Sequence, residues 1–188
     1  MLAHGLVTRP TADVDLFSPD KDDIPRLHRD LVAALTADGL AVHVDLESEE
    51  FVRLGVEETA GGRLEVEIAW DARLFPPVRM SIGPVLSEAE LAADKALALF
   101  GRAYARDLVD VAALVTRLGA ERVLELASAK DDGFSTGVFV RALEVAAGRP
   151  DEEFHRLGLD RAAVAELRGW ARGWAAGLGG LVTGGEGG

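Results

Sequence analysis

The sequence predicts an α+β protein: a mixed sheet with helices over residues 1–86, a helical bundle over 87–178 and a disordered tail over 179–188. Two patterns predict this. Apolar and polar residues alternate in short runs at 14–17, 41–46, 51–58 and 63–70, the period of a strand with one buried face. From Ser87 onward apolar residues recur at three- and four-residue spacing almost without a break, the period of packed helices.

The first strand, 14–17, ends at the turn Ser18-Pro19-Asp20, with Val14 and Leu16 expected in the core. Ile24, Leu27, Leu31 and Leu35 then mark one face of a helix that Gly39 stops. The runs 51–58 and 63–70 flank Thr59-Ala60-Gly61-Gly62, where glycines permit the positive φ of a hairpin turn. Residues 71–84, with Pro76-Pro77 and Gly83-Pro84, read as a crossing loop and a domain boundary. Ser87 followed by Glu90 reads as a capping box opening a helix to Gly101, and further helices are expected over 103–118, 120–129, 135–147 and 161–178. Trp170 and Trp174, one turn apart on the last helix, read as a packing stripe.

Composition narrows the chemistry. With no cysteine, disulfides, thiolate metal sites and cysteine nucleophiles are all excluded. No run reaches the roughly 18 apolar residues of a membrane span, so a cytoplasmic protein is expected. A formal charge of −12 opposes indiscriminate nucleic-acid binding, and any contact with RNA or DNA requires a local basic patch or bridging cations. His4, His28, His43 and His155 show no metal-ligand spacing.

The acids are patterned. In Asp13-Val14-Asp15 strand alternation puts both carboxylates on one side, and two like charges there suit a magnesium half-site, which takes hard oxygen ligands. A third carboxylate from a neighbouring strand completes such a site; Glu65, Glu67 and Asp45 all alternate outward, and periodicity does not choose among them.

The segment His4-Gly5-Leu6-Val7-Thr8-Arg9-Pro10-Thr11-Ala12-Asp13-Val14-Asp15-Leu16-Phe17 resembles the R-x-T-x-D-[IV]-D-L signature of AbiEii-type nucleotidyltransferases, which share the DNA polymerase β-like core. Two further blocks resemble the family in order. Val66-Glu67-Ile68-Ala69-Trp70-Asp71 resembles the strand of the third acid. Leu91-Ala92-Ala93-Asp94-Lys95-Ala96-Leu97-Ala98-Leu99 with Arg102 and Arg106-Asp107-Leu108-Val109-Asp110 resembles the K-x-x-A-L and R-x-x-x-R-D-x-x-D helices. The resemblance implies a nucleotidyltransferase-type sheet, Asp13, Asp15 and Glu67 as ligands of magnesium or manganese, and Lys95 as the catalytic cation beside the nucleotide phosphates. Arg9, Thr11 and Arg102 are further nucleotide-binding candidates, and Arg106, Asp107 and Asp110 support them; Asp110 is the better candidate for holding Lys95 or Arg102, and Arg106 with Asp110 has the spacing of a helix ion pair.

What the resemblance implies about activity is transfer of a nucleoside monophosphate from a nucleoside triphosphate to a tRNA end, a protein or a small molecule, in a bacterial toxin with a cognate antitoxin. The family's Gly-Gly or Gly-Ser turn, which cradles the triphosphate just upstream of the first block, would precede Met1. Either the start leaves out a segment of about twenty residues or more, or the protein has lost that phosphate grip; the alternative expectation is a non-catalytic, protein-binding relative.

Overall fold

The computed structural model describes residues 1–6, 13–57 and 61–184, with backbone alone for 180–184. Contacts divide the chain into two compact units, Pro10–Arg73 and Met1–Arg9 with Leu74–Gly188.

The first unit is a four-stranded sheet with one helix. The strands are β1 (Asp13–Ser18), β2 (Ala41–Glu47), β3 (Phe51–Glu57) and β4 (Arg63–Trp70), and the helix is α1 (Ile24–Ala37). Their order is β1-β4-β3-β2, with β1 parallel to β4 and the other pairings antiparallel. Strand and helix periods meet as their sequences dictate: Val52, Leu54, Val56, Val66 and Ile68 form one face of the sheet, and Ile24, Leu27, Leu31 and Leu35 of α1 close over it. Removing five such side chains from water at roughly 1.5–3 kcal/mol each makes this the main term holding the unit together.

Val14 and Leu16 depart from the core position expected of them. Their register partners are Val66 and Ile68, so they lie on the core face, yet each remains 40% exposed. The reason is topological: β1 is an edge strand, and α1 packs across β2, β3 and β4. At the other edge β2 bulges between Val44 and Leu46. A Cβ at Gly55 would stand 2.5 Å from Nη2 of Arg63, so a side chain there would displace the guanidinium that reaches across to Asp45.

The second unit is helical: α2 (Glu88–Arg102), α3 (Ala105–Leu118), α4 (Ala120–Lys130), α5 (Thr136–Ala147), α6 (Asp151–Arg156) and α7 (Arg161–Gly184). Leu99, Leu108, Val111, Leu114, Phe139, Leu143 and Phe154 are fully buried in its core. Along one side the rings of Phe100, Phe134, Phe139, Trp174 and Trp170 follow one another at 5.2–5.5 Å, so the two tryptophans pack against the bundle. Among the described residues no helix is long and apolar enough to cross a membrane.

Three local readings are corrected. The stretch expected to be loop holds a short antiparallel hairpin, β5 (Val78–Met80) with β6 (Gly83–Val85), turned by Gly83 at φ 114°. The capping box at Ser87 is half made: its side chain accepts from the Glu90 amide at 3.2 Å, but the Glu90 carboxylate accepts instead from the amides of Leu74 and Phe75 at 3.1 and 2.9 Å. Together with the hydrogen bond from His4 Nε2 to the Leu86 carbonyl at 2.7 Å, this groups the 74–86 segment with the helices, in the same compact unit. Finally, α7 runs past 178 to Gly184.

Candidate active site

The polar face of the sheet gathers the patterned acids. Parallel pairing sets Asp13 abreast of Glu65 and Asp15 abreast of Glu67. Neighbouring strands lie about 4.8 Å apart, and side chains abreast share a face, so four carboxylates from two strands stand together opposite α1. Asp45 stands apart at the β2 edge, held by Arg63 Nη2 at 2.8 Å.

A cation is already woven into this face. Arg53 on β3 lies abreast of Glu67, and its Nε and Nη2 both donate to the same oxygen, Oε1, at 2.8 and 2.5 Å. Its Nε is also 3.5 Å from Glu65. The hydrogen bond to Glu67 raises the Arg53 pKa above its ordinary value despite partial desolvation. β3 lies on the opposite flank of β4 from β1, so Arg53 reaches Glu67 from the side away from Asp15. Among the described residues, no three acid or histidine side chains converge closely enough to hold a metal ion.

The donor chemistry nevertheless suits a hard divalent cation: only carboxylate oxygens, on one face, with Oε2 of Glu67 not engaged by Arg53. Arg53 was missed in the sequence. Its signal was present, since an arginine two residues from Phe51 on the outward alternation of the next strand faces the acids, but only the pairing register reveals it.

In the helical unit the expected cations are both anchored by fully buried aspartates. Lys95 Nζ on α2 meets Asp110 Oδ2 on α3 at 2.9 Å. Arg102 donates through Nε and Nη2 to the two oxygens of Asp107 at 2.9 and 2.8 Å, and that hydrogen-bonded pairing raises its pKa. The i,i+4 ion pair expected between Arg106 and Asp110 does not form. Asp110 is turned inward to Lys95, while Arg106 lies over the Tyr104 ring at 5.9 Å. Arg9 and Thr11 fall outside the described residues.

A third buried acid was not anticipated. Glu90, fully buried, receives Lys130 Nζ at 2.7 Å in addition to the two amides, and Lys130 also bonds Asp94. Burial raises the Glu90 pKa, but Lys130 and the Phe75 and Leu74 amides outweigh it and hold the carboxyl below its ordinary value.

A family model described as nucleotidyl transferase AbiEii toxin, type IV toxin–antitoxin system, matches residues 1–186. Among solved structures the chain is similar to MenT4, nucleotidyltransferase toxin Rv2826c from Mycobacterium tuberculosis H37Rv. The TM-score is 0.58 at 22% identity, over 90% of this chain and 68% of that one. No curated protein matches.

Proposed function

The chain belongs to the AbiEii family of nucleotidyltransferase toxins, and from that premise we propose that it moves a nucleoside monophosphate from a nucleoside triphosphate to an acceptor hydroxyl, the new oxygen–phosphorus bond replacing the α–β anhydride and releasing pyrophosphate and the hydroxyl proton. One observation carries the catalytic reading: Asp15 and Glu67 are register partners on adjacent parallel strands, with Asp13 on the same face. On this reading Asp13, Asp15 and Oε2 of Glu67 hold magnesium or manganese. When bound, such cations neutralise triphosphate charge and lower the pKa of the acceptor hydroxyl.

The remaining roles fall to the chain itself. Arg53 is a positioning residue, fixing Glu67 through Oε1 and leaving Oε2 for the cation. Lys95 keeps ammonium protons beyond the one given to Asp110, and Arg102 keeps Nη1 beyond its two bonds to Asp107, so each can still donate to an anionic oxygen. The buried aspartates hold these cations in one rotamer, lowering the entropy lost on binding. The family further supports a cognate antitoxin as partner, and dependence on a nucleoside triphosphate supports a cytoplasmic setting.

The test is transfer of α-labelled nucleotide to RNA, protein or small-molecule acceptors with and without magnesium. Absence of any labelled product with all four triphosphates would sink the proposal. Within that assay, Arg53→Met is expected to lower transfer about 10- to 100-fold, the usual cost of losing a residue that orients a metal ligand. Arg53→Lys should restore part of it, and the half-saturating magnesium concentration should rise in Arg53→Met.

A further inference from the structure

Beside the acids, the polar face of the sheet holds a second row of side chains that is apolar. The alternation that puts Asp13 and Asp15 of β1 on this face also puts Phe17 there, and with them stand Glu65, Glu67 and Ala69 of β4 and Phe51 and Arg53 of β3. The register is unbroken: Phe17 and Phe51 both pair with Ala69, just as Asp15 and Arg53 both pair with Glu67. Two rows therefore cross the same three strands, Asp15-Glu67-Arg53 and Phe17-Ala69-Phe51, two residues or about 7 Å apart.

The apolar row has the form of a slot. Ala69 sets only a methyl group between two phenylalanines, and with neighbouring strands about 4.8 Å apart the Cα atoms of Phe17 and Phe51 stand about 10 Å apart. A planar ring held between two others needs about 7 Å, two contacts of about 3.5 Å each, so the gap admits one ring. Phe17 is 38% exposed and Phe51 is half-buried, so both are open to a ligand on this face.

Each ring is steadied by an arginine that is itself paired. Arg73, 3.1 Å from Asp71, lies 4.3 Å from the Phe17 centroid, and Arg53, bonded to Glu67, lies 5.6 Å from that of Phe51. Rings held before binding lose little freedom when a ligand enters. Arg53 also ties the two rows together, since it touches the acid of one and the aromatic of the other.

We propose that this slot takes the nucleobase of the donor triphosphate, with Phe17 as the stacking residue and Ala69 as the floor. The inference rests on the transferase reading, which sets the phosphates at the acid row, and adds the place of the base. A nucleoside bridges the two rows, its phosphate end at Asp15 and Glu67 and its base two residues farther along the strands. A gap one ring wide with aromatic walls favours a planar base over a sugar or an aliphatic chain. Because every base has a π face, the slot adds affinity for nucleotides more than choice among them.

The test is calorimetric titration of the full chain, in magnesium, with each of the four nucleoside triphosphates and with inorganic tripolyphosphate, which carries the charge without the base. Wild-type protein is expected to bind a nucleoside triphosphate more tightly than tripolyphosphate. Phe17→Leu should weaken the nucleotide about tenfold, the usual worth of one base–aromatic stack, and leave tripolyphosphate unchanged. Phe17→Tyr should keep the wild-type affinity. Ala69→Leu fills the floor and should weaken the nucleotide as Phe17→Leu does, with melting of each variant matching wild type. Equal binding of nucleotide and tripolyphosphate by wild type, a nucleotide affinity unmoved by both leucine variants, or a loss that strikes tripolyphosphate equally would overturn the slot and leave the transferase reading intact. Binding of neither probe by wild type would overturn both.

Discussion

Replacing Asp15 with asparagine is expected to abolish nucleotide transfer, a loss on the order of a thousandfold or more, while the protein folds as before. The size follows from what the carboxylate is proposed to do. Charge stabilisation at the reacting phosphate is the largest single contribution in such sites, and removing one group aimed at it costs about 10²–10³-fold or more. Asparagine keeps the shape and one oxygen but not the charge, so it cannot substitute as a hard anionic ligand.

Stability should move little. Asp15 stands abreast of Glu67, with Asp13 and Glu65 on the same face, and like charges opposed across strands are destabilising. An isosteric exchange on an exposed strand is expected to lie within about 1 kcal/mol of wild type. Denaturant titration alongside the transfer assay checks both halves. An inactive variant that has also lost several kcal/mol would mean that Asp15 is structural.

The largest stability effect is expected at Lys130→Met. The exchange nearly conserves volume but leaves the Glu90 carboxylate fully buried without the Lys130 ammonium. Removing one partner of a buried ion pair typically costs about 3–5 kcal/mol, because the other charge is left in low dielectric. That is a large fraction of the 5–15 kcal/mol by which small proteins are stable.

The pH dependence tests the cause. In wild type the folded Glu90 pKa is depressed, so its contribution is present above the unfolded value near 4.5 and is lost as pH falls through the lower folded value. Without Lys130 the burial effect prevails and the pKa rises, so the variant's deficit should shrink as the carboxyl takes up a proton on acidification. Adding Glu90→Gln to Lys130→Met should recover part of the loss, and additive single effects would show that the two residues are not coupled.

The sequence was legible where one period runs long enough to fix a face. Alternation at 63–70 put Glu65 and Glu67 on one side, and helical spacing found α1 and every long helix of the bundle. It did not choose the third acid, because face is local while neighbourhood is not. β4 inserts between β1 and β3, so the strand that meets Asp15 is the fourth in sequence, and only register sets Glu67 abreast of it and Asp45 at the far edge.

Short elements failed for a related reason. α6 has six residues opening with three acids, too few apolar positions for a period, and the strands of the 78–85 hairpin have three residues each. At Glu90 a correct local pattern lost to a distant one, since Lys130 lies forty positions away and no spacing rule reaches it.

The placement of β1 at the rim of its sheet has a consequence for solubility. A bordering strand with Val14, Leu16 and Phe17 all near 40% exposed is the sort of margin on which a second molecule can add itself. Asp13 and Asp15 alternate with those apolar groups, and their charge discourages such stacking. Silencing the chemistry therefore removes a safeguard: Asp13→Asn with Asp15→Asn should scatter more light than wild type at high concentration, and equal scattering would show the rim to be protected by other means.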